Sequence, residues 1–382
     1  MTWAGPLLIV IGTVAAMEAV AWAVHKYIMH GWGWGWHKSH HEPHDGGFEL
    51  NDLYALVFAA GSVGLAALGG AVLAWLGLPL AWILGALAGS AVWVNLAGPT
   101  CGGRYQRRAA QLLLGAGSAA ILTPEMLSSM LGFLPLMLAA AVVANGTALL
   151  AAPVFMRVAG VERITALLCV LPAGLAEMSN LAEERQARPD IVALSHSTRV
   201  AMIVILVPLV LGTDRGGQFL ADTAGSATAL AVCLVASLLS SMLLNRLGML
   251  NPWIVTPMIF GAALALAGIE IMPVPHDLVV IAQILVGASL GARLRAEIFV
   301  RLPRVALAAS LSTLLLSAVM LVAVSPFLVL VMGVDAVTAT LALAHGGIGE
   351  MLATAQALHV LVPVVLGFQF VRSLLTNLAA SV

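Results

Sequence analysis

The sequence predicts an all-α, polytopic integral membrane bundle. It is read as two inverted repeats with broken or re-entrant helices, preceded by one extra amino-terminal transmembrane helix. Three observations predict it. Of 382 residues, 61% are hydrophobic and 9% charged, with a mean hydropathy of +1.03, whereas soluble domains carry roughly 25% charged residues. Apolar stretches near the ~20 residues that a helix needs to cross hydrocarbon recur along the whole chain. Finally, one sequence pattern occurs twice, with glycines and ionisable residues in the same register.

The apolar residues are mostly Ala, Leu and Val, with 37 Gly, a mixture suited to helices that pack closely in lipid. The repeated ten-residue alternation of a membrane barrel is absent. A net charge of -1, without a basic patch, leaves no surface for neutralising phosphates, so no nucleic-acid partner is expected. Cys101, Cys169 and Cys233 stand apart from one another and read as buried, inert thiols. The expected partners are the lipid bilayer and a small polar substrate or ion, with a homo-oligomer left open.

The first apolar run, about residues 5–24, has neither a basic leading region nor a small-residue cleavage site. It reads as an uncleaved membrane helix. Six of the ten histidines follow it: His25, His30, His37, His40, His41 and His44. His25 and His30 form an H-x4-H pair, and His37, His40 and His41 an H-x2-H-H triplet. A Trp-Gly repeat runs from Trp32 to Trp36, and the stretch Phe48 to Tyr54 follows. About residues 1–60 closely resemble the amino-terminal part of bacterial carotene hydroxylases, of the membrane fatty-acid hydroxylase superfamily. That resemblance implies a cytoplasmic loop whose imidazoles hold iron, a metal suited to neutral nitrogen ligands. The family pattern continues with further histidine segments that are absent here, so about half of the ligand set is missing. Three readings follow for this piece: a truncated remnant, a metal-binding loop without catalysis, and a hydroxylase completed by a second chain. No cofactor is expected elsewhere.

Beyond this piece, hydropathy divides the body into a first repeat, 61–212, and a second, 213–382. Expected segments are 58–76, 79–97, 107–122, 130–157, 163–181 and 190–212, then 224–245, 251–269, 278–292, 302–328, 335–353 and 356–380. The repeat itself is plainest where VERITALLCVLPAGLAEM from Val161 matches VDAVTATLALAHGGIGEM from Val334. Thr165, Gly174, Glu177 and Met178 fall on Thr338, Gly347, Glu350 and Met351, and Arg199 falls on Arg372, at an offset of 173 (334 minus 161). Gln111 and Gln283, and Trp82 and Trp253, extend the match upstream.

Arginine placement in matched loops is opposite in the two halves. Arg104, Arg107 and Arg108 follow the second segment of the first half, whereas Arg293, Arg295, Arg301 and Arg304 follow the third segment of the second. Since Lys and Arg concentrate in cytoplasmic loops, this reversal predicts oppositely inserted halves, the pattern of many secondary transporters. If the weak segments at 163–181 and 335–353 are re-entrant, eleven segments cross, in the manner of a bacterial inner-membrane protein.

Those weak segments carry Pro172-Ala173-Gly174 and His345-Gly346-Gly347, each followed by a glutamate, Glu177 or Glu350. Interrupting a helix frees backbone groups that are tolerable in a bilayer only against protein or a watery cavity. Paired breaks of this kind mark transporter binding sites. Glu177 and Glu350 at membrane depth require partners or a function, and Arg199 and Arg372 are the expected partners, one pair in each half. His345 is a further candidate, as a group that titrates near neutrality or as a satisfied core residue. Asn180, Ser195, His196 and Gln369 are weaker candidate linings. Glu183, Glu184, Arg185 and Arg188 read as a solvated loop.

The LPAGLAEM motif, the Ser195–Arg199 stretch and Pro208 resemble the AbrB-type membrane protein family, over roughly residues 72–382. Labels such as ammonia monooxygenase or DNA-binding regulator find neither a metal-ligand cluster nor a basic reading domain here. The resemblance implies a duplicated membrane protein and a transporter of unassigned substrate. The alternatives are the hydroxylase reading of the amino-terminal piece and a membrane sensor or scaffold.

Overall fold

The computed structural model describes residues 26–27, 52–78, 80–98, 103–211, 225–249 and 251–381. The expected amino-terminal helix, Cys101, and the cluster His25, His30, His37, His40, His41 and His44 lie outside the described residues. The first half contains α1 (Asp52–Trp75), α2 (Ala81–Ala97), α3 (Gly103–Ala119), α4 (Pro124–Gly132), α5 (Leu134–Ala159), α6 (Arg163–Val170), α7 (Leu175–Glu184) and α8 (Pro189–Leu211). The second contains α9 (Ala227–Arg246), α10 (Pro252–Leu266), α11 (His276–Gly291), α12 (Ala296–Arg301) and α13 (Pro303–Val319). A π turn (Met320–Val324) then leads to α14 (Ser325–Met332), α15 (Ala336–Leu343), α16 (Ile348–Ala357) and α17 (Val362–Ser381).

Six described helical stretches are long and apolar enough to cross a membrane, from Leu134–Ala159 to Val362–Ala380. The protein is therefore a membrane-embedded helical bundle. Three segments expected as full crossings are shorter apolar helices: Ala60–Trp75, Ala81–Ala97 and Pro252–Leu266. The stretch 123–129, read from the sequence as a loop, instead lies largely in the short helix α4, which meets α3 at 101°. Thr123 Oγ1 accepts from the Met126 amide at 3.2 Å, and Pro124 opens α4. A side-chain cap with proline at the first helical position starts a new helix instead of continuing the old one.

Backbone turns repeat with the sequence. Among the described residues, those with left-handed φ fall into five pairs: Gly77 with Gly248, Leu80 with Asn251, Gly98 with Gly268, Gly160 with Gly333, and Gln186 with His359. Such φ values cost roughly 1–2 kcal/mol per residue with a Cβ, so recurrence at Leu80, Gln186, Asn251 and His359 reflects a shared frame. The broken segments match in length as well. Helices α6 and α15 have 8 residues each, and α7 and α16 have 10.

Small residues set the packing between halves. Gly287 of α11 lies against the Ile83 carbonyl and Ala86 of α2, and Gly291 lies against the Leu87 carbonyl. Reciprocally, Gly115 of α3 meets Ile254 and Pro257 of α10, and Gly261 of α10 lies on Ala119. Side chains at these glycines would force the helices apart, which is the close-approach logic of membrane helix pairs. Ser90 Oγ also donates to the Ala288 carbonyl at 2.9 Å, tying α2 to α11. Elsewhere, α5 packs on α13 and α17, while α8 packs on α13.

Candidate functional site

Both broken segments break where the sequence places the Pro- and Gly-containing motifs. Proline disfavours helix at the residue before it, and Leu171, ahead of Pro172, is extended at φ -58 and ψ 134. Ala344 adopts nearly the same backbone, φ -61 and ψ 138, before His345 and two glycines. Gly174 and Gly347 then cap α7 and α16. Each glycine has a local reason: a Cβ at Gly174 would overlap the Glu177 carboxylate, and one at Gly347 the Glu350 carboxylate. In both motifs the acid folds back over the start of its own helix, a favourable place for negative charge.

The arginines do not pair with these glutamates, contrary to the sequence expectation. Arg199 Nη1 donates to the Leu171 carbonyl at 2.9 Å, and its Nη2 to the Ala173 carbonyl at 3.1 Å. Arg372 does the same to Ala344 at 2.6 Å and Gly346 at 3.3 Å. The physical reason is the break itself, whose carbonyls have lost helical donors and cannot find water in a bilayer. Each guanidinium, a planar fork of donors, latches one break from the following helix.

A third residue completes each latch. His196 Nε2 bonds the Leu168 carbonyl at 2.8 Å, and Arg199 Nη2 lies 2.7 Å from His196 Nδ1. Because a carbonyl only accepts, the proton resides on Nε2 and Nδ1 accepts from the arginine. Gln369 Nε2 donates to the equivalent Leu341 carbonyl at 2.9 Å, and its Oε1 accepts from Arg372 Nη2. One imidazole and one carboxamide thus hold equivalent positions, and Gln369 Nε2 also donates to the Ala344 carbonyl at 2.8 Å. Ser195 Oγ donates to the Cys169 carbonyl at 3.2 Å.

The glutamates take different partners. Glu177 is partly buried and accepts from Asn251 Nδ2 at 3.3 Å. Glu350 is only 2% exposed; its Oε1 lies 3.8 Å from Arg107 Nη2, and its Oε2 has no hydrogen-bond partner among the described residues. His345 is buried, with neither ring nitrogen hydrogen-bonded among the described residues. Asn180 is exposed, as are Glu183, Glu184, Arg185 and Arg188.

The two breaks meet. Pro172, Ala173 and Gly174 from the first half and Gly346, Gly347 and Glu350 from the second line one cavity. Its wall also holds Arg107, Arg293, Arg372 and Asn251. The cavity is small, about 20 Å³, on a scale where one water needs ~10–15 Å³. In the sequence Arg107 and Arg293 read only as loop charges. Their position beside both helix breaks depends on packing between halves and carries no local signal. Asn251 could be found as the counterpart of Leu80 before a repeated helix. A larger cavity of about 250 Å³ lies between α8, α13 and α15, against Ile203, Val207, Leu314 and Leu343, and its lining holds no ionisable residue.

Among the described residues, no group of three or more His, Cys, Asp or Glu is arranged to hold a metal ion. The possible iron ligands His25, His30, His37, His40 and His41 lie outside them.

Fold and site define a polytopic helical membrane protein with two matched, latched helix breaks. The chain belongs to the family described as Transition state regulatory protein AbrB, which matches residues 102–382. It is also 24% identical to the uncharacterised protein YhjN of Bacillus subtilis (strain 168), over 345 residues covering 82% of this chain and 88% of that protein. A separate likeness runs to beta-carotene hydroxylases. Identity is 59% over 83 residues with that of Pantoea ananas, covering 22% of this chain and 45% of the relative. With the beta-carotene hydroxylase of Paracoccus sp. (strain N81106 / MBIC 01143) it is 53% over 76 residues, or 20% and 44%. The chain spans less than half the length of these hydroxylases.

Proposed function

We propose that the AbrB-family body is a secondary transporter whose site lies between two oppositely inserted copies of one helical unit. One observation carries the reading: both helix breaks and the buried Glu350 line a single cavity built from both halves. Inversion is supported by α3 and α11, which occupy matching positions in the repeat and pack together. Arg107 near the start of α3 and Arg293 just beyond the end of α11 line the same cavity, as antiparallel copies would place them. The cavity is too small for a whole solute, so transport requires the two breaks to separate, first towards one side and then the other. In this scheme Gly174, Glu177, Gly347 and Glu350 shape the site, while Arg199 and Arg372 keep the broken segments intact during movement. His345 sits in the moving break. The His-rich loop faces the cytoplasm in the corresponding topology.

The test is uptake and efflux of small polar solutes and ions in proteoliposomes. Glu350→Gln should abolish movement of the transported solute, and Glu177→Gln should slow it, both in correctly folded protein. Unchanged flux in Glu350→Gln would overturn the proposed site.

A second reading concerns the amino-terminal piece, as part of a di-iron hydroxylase acting on a carotenoid or lipid. It has the more direct support from named relatives, since 59% identity over 83 residues links this chain to a protein named for that activity. Imidazole clusters suit iron, but this chain carries only part of the ligand set, so activity would need histidines from another chain. A remnant joined to the transporter body is the simpler form of this reading. Metal analysis of the purified full chain separates them: less than about one iron per chain ends the metal-binding form.

A further inference from the structure

We propose that the cavity between the two breaks is an oxyanion site, so that the transported solute carries a carboxylate or phosphate group. This deepens the transporter reading and rests on it for the word transported; the binding chemistry itself does not.

Positive charge outweighs negative in the cavity wall. Arg107, Arg293 and Arg372 line the cavity, against one lining carboxylate, Glu350. Nearby, Glu177 touches the cavity-lining Asn251, while Arg199 latches the first break. Four arginines therefore face two glutamates in this region. Surplus charge in a low-dielectric setting is costly unless a counter-ion joins it. Two features add to the positive field. Helices α7 and α16, ten residues each, both begin at this cavity, with Gly174 and Gly347 on its wall. The first turn of each helix has amide hydrogens without intrahelical acceptors, which makes it attractive to anions. Glu177 and Glu350 answer part of that field from their own first turns but leave the arginine surplus.

Unused bonding capacity points the same way. Arg372 is 6% exposed, and its Nε has no hydrogen-bond partner among the described residues. The Arg293 side chain shares the cavity wall with Arg107 and Glu350 and makes no hydrogen bond among the described residues. At 3.8 Å the Arg107–Glu350 contact is too long for a hydrogen bond. Glu350 therefore acts as a weakly held internal anion on arginines whose planar donors suit a bidentate oxyanion. An incoming carboxylate or phosphate group would take over the arginines and displace Glu350. The cavity then selects charge and headgroup geometry, while the remainder of the solute is accommodated as the breaks part.

The experiment measures binding separately from transport. Purified full-length protein in neutral detergent is titrated with inorganic phosphate, acetate and succinate, at ionic strength held constant with chloride. Binding is followed by thermal stabilisation and calorimetry. Saturable stabilisation by at least one oxyanion is expected, weakened about ten-fold or more in Arg293→Gln, where one charged hydrogen bond is lost. Glu350→Gln should bind the same anion more tightly, by about ten-fold, because a competing negative charge has gone. A merely structural Glu350 would not produce that gain. Phosphate and carboxylate arms distinguish the two headgroups. Absence of oxyanion-specific stabilisation in protein that transports another solute would overturn the anion assignment while leaving the transporter standing. Anion binding without any flux would retain the site and sink transport.

Discussion

The two broken segments share a frame but differ in the chemistry mounted on it. In the first, Arg199 holds the Leu171 and Ala173 carbonyls with help from His196; in the second, Arg372 holds Ala344 and Gly346 with help from Gln369. Partners, register and helix lengths correspond. The glutamates do not: Glu177 is partly buried and bonded to Asn251, whereas Glu350 is 2% exposed with one oxygen unpartnered. The frame is thus a constraint of folding in lipid, met identically in both halves. The acids are where the two copies differ, in burial and in partners.

Removing a latch should have the largest effect on stability. Arg199→Ala and Arg372→Ala should each cost about 3–5 kcal/mol, because several buried acceptors lose a charged donor together. Reversible unfolding in detergent measures this, and the two losses should agree within about 1 kcal/mol if the frame is shared. Glycine substitutions sharpen the contrast between the acids. Gly347→Ala should cost about 2–3 kcal/mol, since its Cβ meets a buried carboxylate with little room to move. Gly174→Ala should cost nearer to 1 kcal/mol, because the less buried Glu177 can swing aside. The smallest effect belongs to exchanging the latch helpers. His196→Gln should change stability by less than about 1.5 kcal/mol, because a carboxamide can both donate to the carbonyl and accept from the arginine. Gln369→His should cost somewhat more, because Gln369 Nε2 also donates to the Ala344 carbonyl. Leucine at either position should cost more, by leaving an arginine and a carbonyl unmatched.

Much of this frame is legible in the sequence. The breaks follow from Pro172 and the glycines at 346 and 347, and the repeat from Thr165, Glu177 and Arg199 with their counterparts. The arginine partners are not legible in the sequence, because spacing gives depth in the membrane but not direction. Glu177 and Arg199 are close in the sequence pattern, yet the freed carbonyls of the break are nearer in space. The Thr123–Pro124 pair is a helix-start signal in the stretch 123–129, which hydropathy alone reads as a loop between two segments. Arg107 and Arg293 were legible only as loop charges, since their role arises where two halves pack. The histidine cluster lies outside the described residues, and its assignment rests on likeness to the hydroxylases.

A shared site exists only if the two helix starts meet across one cavity. Leu175 and Ile348 occupy matching first positions of α7 and α16 and both line that cavity. Cross-linking Leu175→Cys with Ile348→Cys, in a chain with Cys101, Cys169 and Cys233 replaced by serine, tests this directly in membranes. A short bifunctional thiol reagent should join the pair within one chain, at a yield lowered by the bound solute. Reactive single variants without any cross-link in the double variant would contradict the shared site.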